Sequence, residues 1–324
     1  MRVLDASQLN SLLDMRDCIR EVENAFRARG EGRLAPSAVV GLELNGGSLH
    51  AKLGALERGY AAAKINANYP DNPSVRGLPV IQGLVVLFEL LSGMPLACMD
   101  SAIITAMRTA AASAVAASYL AVSHASSVAF IGCGTQARAH VQALRHVRPL
   151  KRFVLFDRDP AVAGQFATLL GGADAVMIAG DAREAARSSE IVVTSTPSRS
   201  ALLDVGDVTP GTFIAAVGAD NEHKQEMAPS LLRAAAVIVD DLDQCSRIGD
   251  LHHALREGIM RLDDVRASLD QIVAGTSAGR RADDEIVIFD STGVAIEDVA
   301  VAALAYVRAE RTDTGFVIDR MPAC

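Results

Sequence analysis

Residues 128–137 read Val-Ala-Phe-Ile-Gly-Cys-Gly-Thr-Gln-Ala, and about 20 residues beyond the glycines the apolar run Phe153–Phe156 ends at Asp157. Strand, glycine turn, helix and second strand closed by a carboxylate make the layout of a dinucleotide cradle. Gly132 permits the tight turn, Gly134 keeps a Cβ out of the path of a pyrophosphate, and Ala137 is small enough for close helix–strand packing. The N–H groups that open the following helix face the phosphates. Asp157 is placed to accept hydrogen bonds from ribose hydroxyls, and its charge repels a 2′-phosphate, which favours NAD. Arg158, next in the chain, offsets that repulsion and leaves NADP open.

Three further charged residues fall where burial alone gives them no purpose. Lys64 follows Tyr60-Ala-Ala-Ala on a strand, Arg108 lies in the small-residue helix Thr105-Ala-Met-Arg-Thr-Ala-Ala, and Asp220 follows the strand Phe213–Val217. The last position is the C-terminal edge of a sheet, where open α/β folds take their ligands. Two cations and a carboxylate suit an amino or imino acid, the cations holding its carboxylate and the acid facing its nitrogen. Each residue also has a plainer reading: a snorkelling lysine, a helix-surface arginine, a loop-capping aspartate. His50 and Lys52 alternate on one side of a strand, either as a cation pair or proton donor toward a pocket or as a solvated face.

The elements that must hold these groups are legible from pattern. Asp17–Arg29 has Ile19, Val22, Ala25 and Phe26 at helical spacing, with Asp17 as N-cap and Gly30 as stop. Ala38–Leu44, Ser48–Leu53, Ala61–Ala67 and Leu84–Glu89, separated by turn residues that include Asn45-Gly46-Gly47 and Glu57-Arg58-Gly59, predict antiparallel strands. A long alanine-rich helix follows over about 103–120. From Ser127 onward strands and helices alternate, with strands at Val128–Ile131, Phe153–Phe156, Ala175–Ile178, Ile191–Ser195, Phe213–Val217, Ala236–Val239 and Ile286–Phe289. That alternation predicts a doubly wound parallel sheet. The fold class is therefore α/β, with a Rossmann-type domain at 121–294 and a second α/β domain at 1–120 completed by a helix within 295–324. The tail after Arg311 is expected to be poorly ordered.

Composition narrows the function classes. With 31 basic and 39 acidic residues the formal charge is −8, and no basic stripe offers itself to nucleic acid. The longest apolar stretches are short or broken by Arg108, so no membrane partner is expected, and the N-terminus lacks the pattern of a signal peptide. The expected location is the cytoplasm. Cys18, Cys98, Cys133, Cys245 and Cys324 are scattered without C-x-x-C spacing, and the histidines show no ligand spacing, which gives no support to a metal site.

Taken together, Lys64 with Tyr-Pro-Asp-Asn-Pro (69–73), Gly77-Leu-Pro, Gly93-Met-Pro-Leu-Ala, Thr105-Ala-Met-Arg-Thr-Ala-Ala, Gly132-Cys-Gly-Thr-Gln-Ala, Gly218-Ala-Asp and Phe289-Asp-Ser-Thr-Gly resemble the ornithine cyclodeaminase/μ-crystallin family over nearly the whole chain. That resemblance implies a Rossmann domain joined to a substrate domain that builds a homodimer. It implies Lys64 and Arg108 on a substrate carboxylate, Asp220 at the substrate amine or in proton transfer, and Lys64 and Asp220 as the catalytic candidates. It also assigns Gly132, Gly134, Thr135 and Gln136 to the pyrophosphate and Asp157 to the ribose. Family members include cyclodeaminases, an alanine dehydrogenase type, imino acid reductases and crystallin-like binding proteins. The expected activity is an NAD(P)-dependent interconversion of a small imino acid and its amino acid. A cyclodeaminase and a non-catalytic binding protein are the alternatives. Two departures weigh against ornithine cyclisation: Ser37 after Pro36 where cyclodeaminases carry Arg, and Ser48 where they carry Glu.

Overall fold

Alternation of side chains along the first strands gives each two faces, and the pairing of those strands decides which residues share one. The computed structural model describes residues 1–33, 37–57, 59–171 and 175–318; Pro36, Arg58 and Cys324 lie outside them. The chain divides into two compact units, 1–108 with 294–324 and 109–293. The division falls inside a helix, after Arg108, whereas pattern alone suggests a boundary at the helix end.

The first unit begins with β1 (Arg2–Leu4), α1 (Ala6–Leu12) and α2 (Met15–Gly30), followed by β2 (Ala38–Leu44), β3 (Gly47–Leu56) and β4 (Tyr60–Asn68). Then come α3 (Asn72–Arg76), β5 (Ile81–Glu89), β6 (Pro95–Asp100) and the start of α4 (Ser101–Leu120). Strands β2 to β6 pair antiparallel in sequence order, and β1 joins β6 in parallel. The expected cap of α2 is corrected. Asp14, not Asp17, caps it by accepting from the amides of Arg16 and Asp17, which leaves Asp17 in the first turn to pair with Arg20 and Arg308.

The second unit holds β7 (Ser127–Ile131), α5 (Thr135–Arg145), β8 (Arg152–Phe156), α6 (Pro160–Leu170), β9 (Ala175–Ile178), α7 (Ala182–Arg187) and β10 (Ile191–Thr194). It continues with β11 (Arg199–Leu203), β12 (Phe213–Ala216), β13 (Gln225–Met227), α8 (Pro229–Ala234), β14 (Ala236–Val239), α9 (Leu242–Arg247) and α10 (Asp250–Arg256). Last are β15 (Ala267–Ser268), α11 (Leu269–Val273) and β16 (Val287–Asp290). The sheet is parallel, in the order β15-β14-β16-β12-β10-β7-β8-β9. Strand order reverses at β7, the switch point at which such sheets receive ligands. Strands β7, β10, β12, β14 and β16 are buried throughout, which is why they read as unbroken apolar runs. The two-residue β15 and the small β11–β13 sheet carry no such run and were not foreseen.

The chain then returns to the first unit through α12 (Ala295–Thr312) and β17 (Phe316–Val317). The tail is ordered further than expected, because β17 pairs antiparallel with the otherwise open edge of β1; residues 319–324 lie outside the described ones. Helix α4 is long and apolar enough to cross a membrane, yet 67% of its most apolar window is buried inside the protein, as in a core helix.

Candidate functional site

Register places the first-unit cations together. Lys52 lies directly opposite Lys64, and His50 opposite Asn66, in the β3–β4 pair. Side chains two residues apart share a face, so His50, Lys52 and Lys64 all stand on one side of the sheet. Lys64 is 4% exposed; its Nζ lies 2.8 Å from Asp298 Oδ1 and 3.5 Å from Thr105 Oγ1. Arg108, 6% exposed, donates from Nη1 to Glu297 Oε2 at 2.7 Å and brings Nε within 3.2 Å of Asp298 Oδ1. Asp298 Oδ2 is buried without a hydrogen-bond partner among the described residues. His50 is half-buried and its Nε2 lies 2.8 Å from Ser48 Oγ, while Ser37 is exposed.

Both counter-ions escaped the sequence reading. Glu297 and Asp298 occupy the first turn of α12, where acids are expected simply because they complement the helix dipole. The fold instead buries both. Two cations share the Asp298 carboxylate, and the two ends of that arrangement titrate differently. Burial pushes Asp298 up, but Lys64 and Arg108 outweigh it and hold the carboxyl below its ordinary range. Lys64 gains only part of that carboxylate. Burial, then repulsion from Arg108, brings its ammonium down to about 7 despite Asp298. Lys52 adds to the same field, lowering Lys64 and Asp298 alike.

The glycine turn has the predicted shape. Gly132 adopts φ 92°, and a Cβ there would lie 2.9 Å from the carbonyl oxygen of Ser195. A Cβ on Gly134 would meet nothing within 4 Å. Helix α5 starts at Thr135 with no side-chain cap, Ala137 is fully buried, and Gln136 Oε1 is buried without a hydrogen-bond partner among the described residues. Asp157 follows β8, its Oδ2 accepting the Cys133 amide at 2.8 Å and its Oδ1 the Asp159 amide at 3.0 Å. Arg158 is exposed. An open approach beside Gly134, uncapped helix amides and a carboxylate tied to the turn fit a dinucleotide. Cys133 contributes its backbone, since burial and then Asp157 push the thiol up to about 12.

Asp220 lies exposed on the loop after β12, its Oδ1 2.7 Å from Lys224 Nζ. Sequence reasoning missed that lysine, and it missed Glu226, Asp240 and Asp250, while Asp290 entered it only within Phe289-Asp-Ser-Thr-Gly and without a role; all four acids are buried. A single acid in or after a short strand, or at the start of a short helix, gives no signal of burial.

A parallel sheet with a dinucleotide-type glycine turn, joined to an antiparallel sheet that buries a lysine and an arginine on two carboxylates, defines a two-unit α/β protein of the nucleotide-binding class. The chain belongs to the ornithine cyclodeaminase/mu-crystallin family, whose model matches residues 1–313. It is 38% identical over 313 residues to an alanine dehydrogenase of Archaeoglobus fulgidus, covering 97% of this chain and 96% of that one. Among solved structures, an archaeal alanine dehydrogenase dimer with bound NAD matches with a TM-score of 0.93 at 37% identity, covering 99% of each chain. The Δ1-pyrroline-2-carboxylate reductase of Thermococcus litoralis, in complex with NADH and L-proline, also gives 0.93, at 32% identity, covering 98% of this chain and all of that one.

Proposed function

We propose that this protein is an NAD-dependent oxidoreductase that interconverts a small imino acid, cyclic or linear, with its L-amino acid. The observation that carries the reading is the buried Lys64–Asp298–Arg108–Glu297 arrangement. Dry, paired cations are suited to a carboxylate because their hydrogen bonds to it are charge-assisted and unscreened. Names and bound ligands of the relatives support the same chemistry.

Lys64 and Arg108 hold the carboxylate, with Lys52 and His50 on the same sheet face as further contacts. Asp298 and Glu297 fix the two cations in place. Asp220 serves the nitrogen, where a carboxylate stabilises an iminium and relays a proton; Lys64, with its pKa near neutrality, is the other candidate for proton transfer. Gly132, Gly134, Thr135 and Gln136 receive the pyrophosphate and Asp157 the ribose. NAD, when bound, supplies or accepts the hydride. Imine reduction and amino acid dehydrogenation are one reaction run in opposite directions, and we favour reduction as the faster one in assay.

The protein acts as a soluble cytoplasmic homodimer on this reading. Val40, Leu42, Leu44, Leu53, Ile65 and Leu84 form an exposed apolar face on β2 to β5, opposite the face that bears Lys64. Such a face is ordinarily covered by a partner.

The test offers Δ1-pyrroline-2-carboxylate, and separately pyruvate with ammonia, together with NADH or NADPH, and follows loss of the reduced cofactor. Oxidation of NADH by one of these substrates is expected, with NADPH slower. Release of ammonia and proline from L-ornithine with only catalytic NAD would instead establish a cyclodeaminase and sink the reading.

A further inference from the structure

Glu226 is a fully buried carboxylate with four donors on it. Its Oε2 accepts from Thr194 Oγ1 at 2.7 Å and from the Gly218 amide at 2.9 Å. Its Oε1 accepts from the Thr196 amide at 2.6 Å and from Thr196 Oγ1 at 2.7 Å. Thr194 ends β10, Thr196 lies in the loop that follows, and Gly218 lies in the loop after β12, two residues before Asp220. The fit is tight, since a Cβ on Gly218 would sit 2.5 Å from the Glu226 carboxyl carbon. The same Thr196 presses on the glycine turn, for a Cβ on Gly132 would lie 3.0 Å from Thr196 Cγ2.

The acid is itself held in place. The amides of Glu226 and Met227 donate to Asp250 Oδ1 at 2.7 and 2.9 Å, and the amides of Asp250 and Leu251 donate to Asp290 at 3.3 and 2.8 Å. Asp290 ends β16, and Asp240, which follows β14, accepts from the Gly293 amide at 2.6 Å. Four strand ends are thus tied by buried acids. Burying a carboxylate is costly unless donors compensate it, and packing alone would be served as well by an apolar side chain. Burial pushes Glu226 up while its donors oppose the rise, and their own burial raises the neighbouring Asp250 and Asp290, Asp290 to about 7.

We propose that Glu226 is a positioning residue for Asp220: it locks the loops after β10 and β12 together, so that Asp220 is presented from a fixed segment at the ligand-binding edge of the sheet. The inference rests on the proposed role of Asp220 at the substrate nitrogen.

Glu226→Gln tests it sharply, because each carboxylate oxygen accepts a backbone N–H and either orientation of the amide turns an NH2 group toward one of them. Expected is a loss in kcat on the order of 10- to 100-fold, the scale of a misplaced reacting group, with NADH affinity and substrate KM within about threefold. Hydrogen exchange supplies a readout without turnover: the Gly218 and Thr196 amides should exchange faster, while those of β10 and β12 stay protected. In the Asp220→Asn background, Glu226→Gln should cost less than about threefold more, since both changes act through one group. Losses that multiply independently, or a wild-type kcat in Glu226→Gln, would overturn the proposal. Near-wild-type turnover by Asp220→Asn would overturn the role of Asp220 itself, and the exchange data would still report on the anchoring. Should Glu226→Gln not fold, Thr194→Val, which removes one hydroxyl donor, carries the same cycle with a smaller loss in kcat.

Discussion

Lys64 owes its chemistry to its neighbours. A lysine on an exposed strand face stays protonated through the physiological range, whereas this one titrates at about 7 because burial and Arg108 outweigh Asp298. The unfolded chain binds the extra proton between that value and the ordinary lysine range, so the group's contribution to stability rises with pH across that window. On the proposed role of Lys64, substrate grip has the opposite sign. The KM of a carboxylate substrate should rise by up to about tenfold per pH unit above neutrality as the ammonium is lost, and Lys64→Met should flatten that dependence; a rise that survives in Lys64→Met would assign the titration elsewhere. Arg108→Ala should lower kcat/KM by about 2–4 kcal/mol and global stability by about 3–5 kcal/mol, because Glu297 is left buried without its cation. Steady-state kinetics and urea unfolding measure the two separately, and cofactor affinity should be nearly unchanged.

The glycine turn works through its attachment to the next strand. Asp157 accepts the Cys133 amide from the end of β8, so its carboxylate is held at the turn. Asp157→Ser should weaken NADH more than NADPH by removing both the ribose acceptor and the charge that repels a 2′-phosphate. Fluorescence titration of the two cofactors reads the ratio, and an unaltered preference would show that Asp157 serves only the turn. This element was legible because strand, turn and helix lie within one short segment and each position constrains its own backbone. Helix α12 was legible as a helix, yet not as the source of counter-ions. Its periodicity shows where it packs but says nothing about which cation a first-turn acid meets across the sheet.

At the scale of the whole molecule, the proposed dimer would form through the outer face of the antiparallel sheet. Leu42→Lys combined with Ile65→Asp should convert a dimer to a monomer in light scattering, with the helical circular dichroism retained, because both side chains are exposed and no core contact is removed. A double variant that remains dimeric would place the interface on another surface.

Local pattern determined the α/β class, the antiparallel strands of the first unit, the parallel sheet and the cofactor turn, because each depends on side chains a few residues apart along one backbone. The same reading chose Lys64, Arg108 and Asp220 by their type and setting. Only the tertiary structure joined Lys64 to Asp298 across 234 residues and Arg108 to Glu297 across 189. It alone gathered Glu226, Asp240, Asp250 and Asp290 behind the sheet edge. Whether a charged side chain is solvated, paired or shared is set by desolvation and by partners distant in sequence, and neither quantity is carried by the order of residues around it.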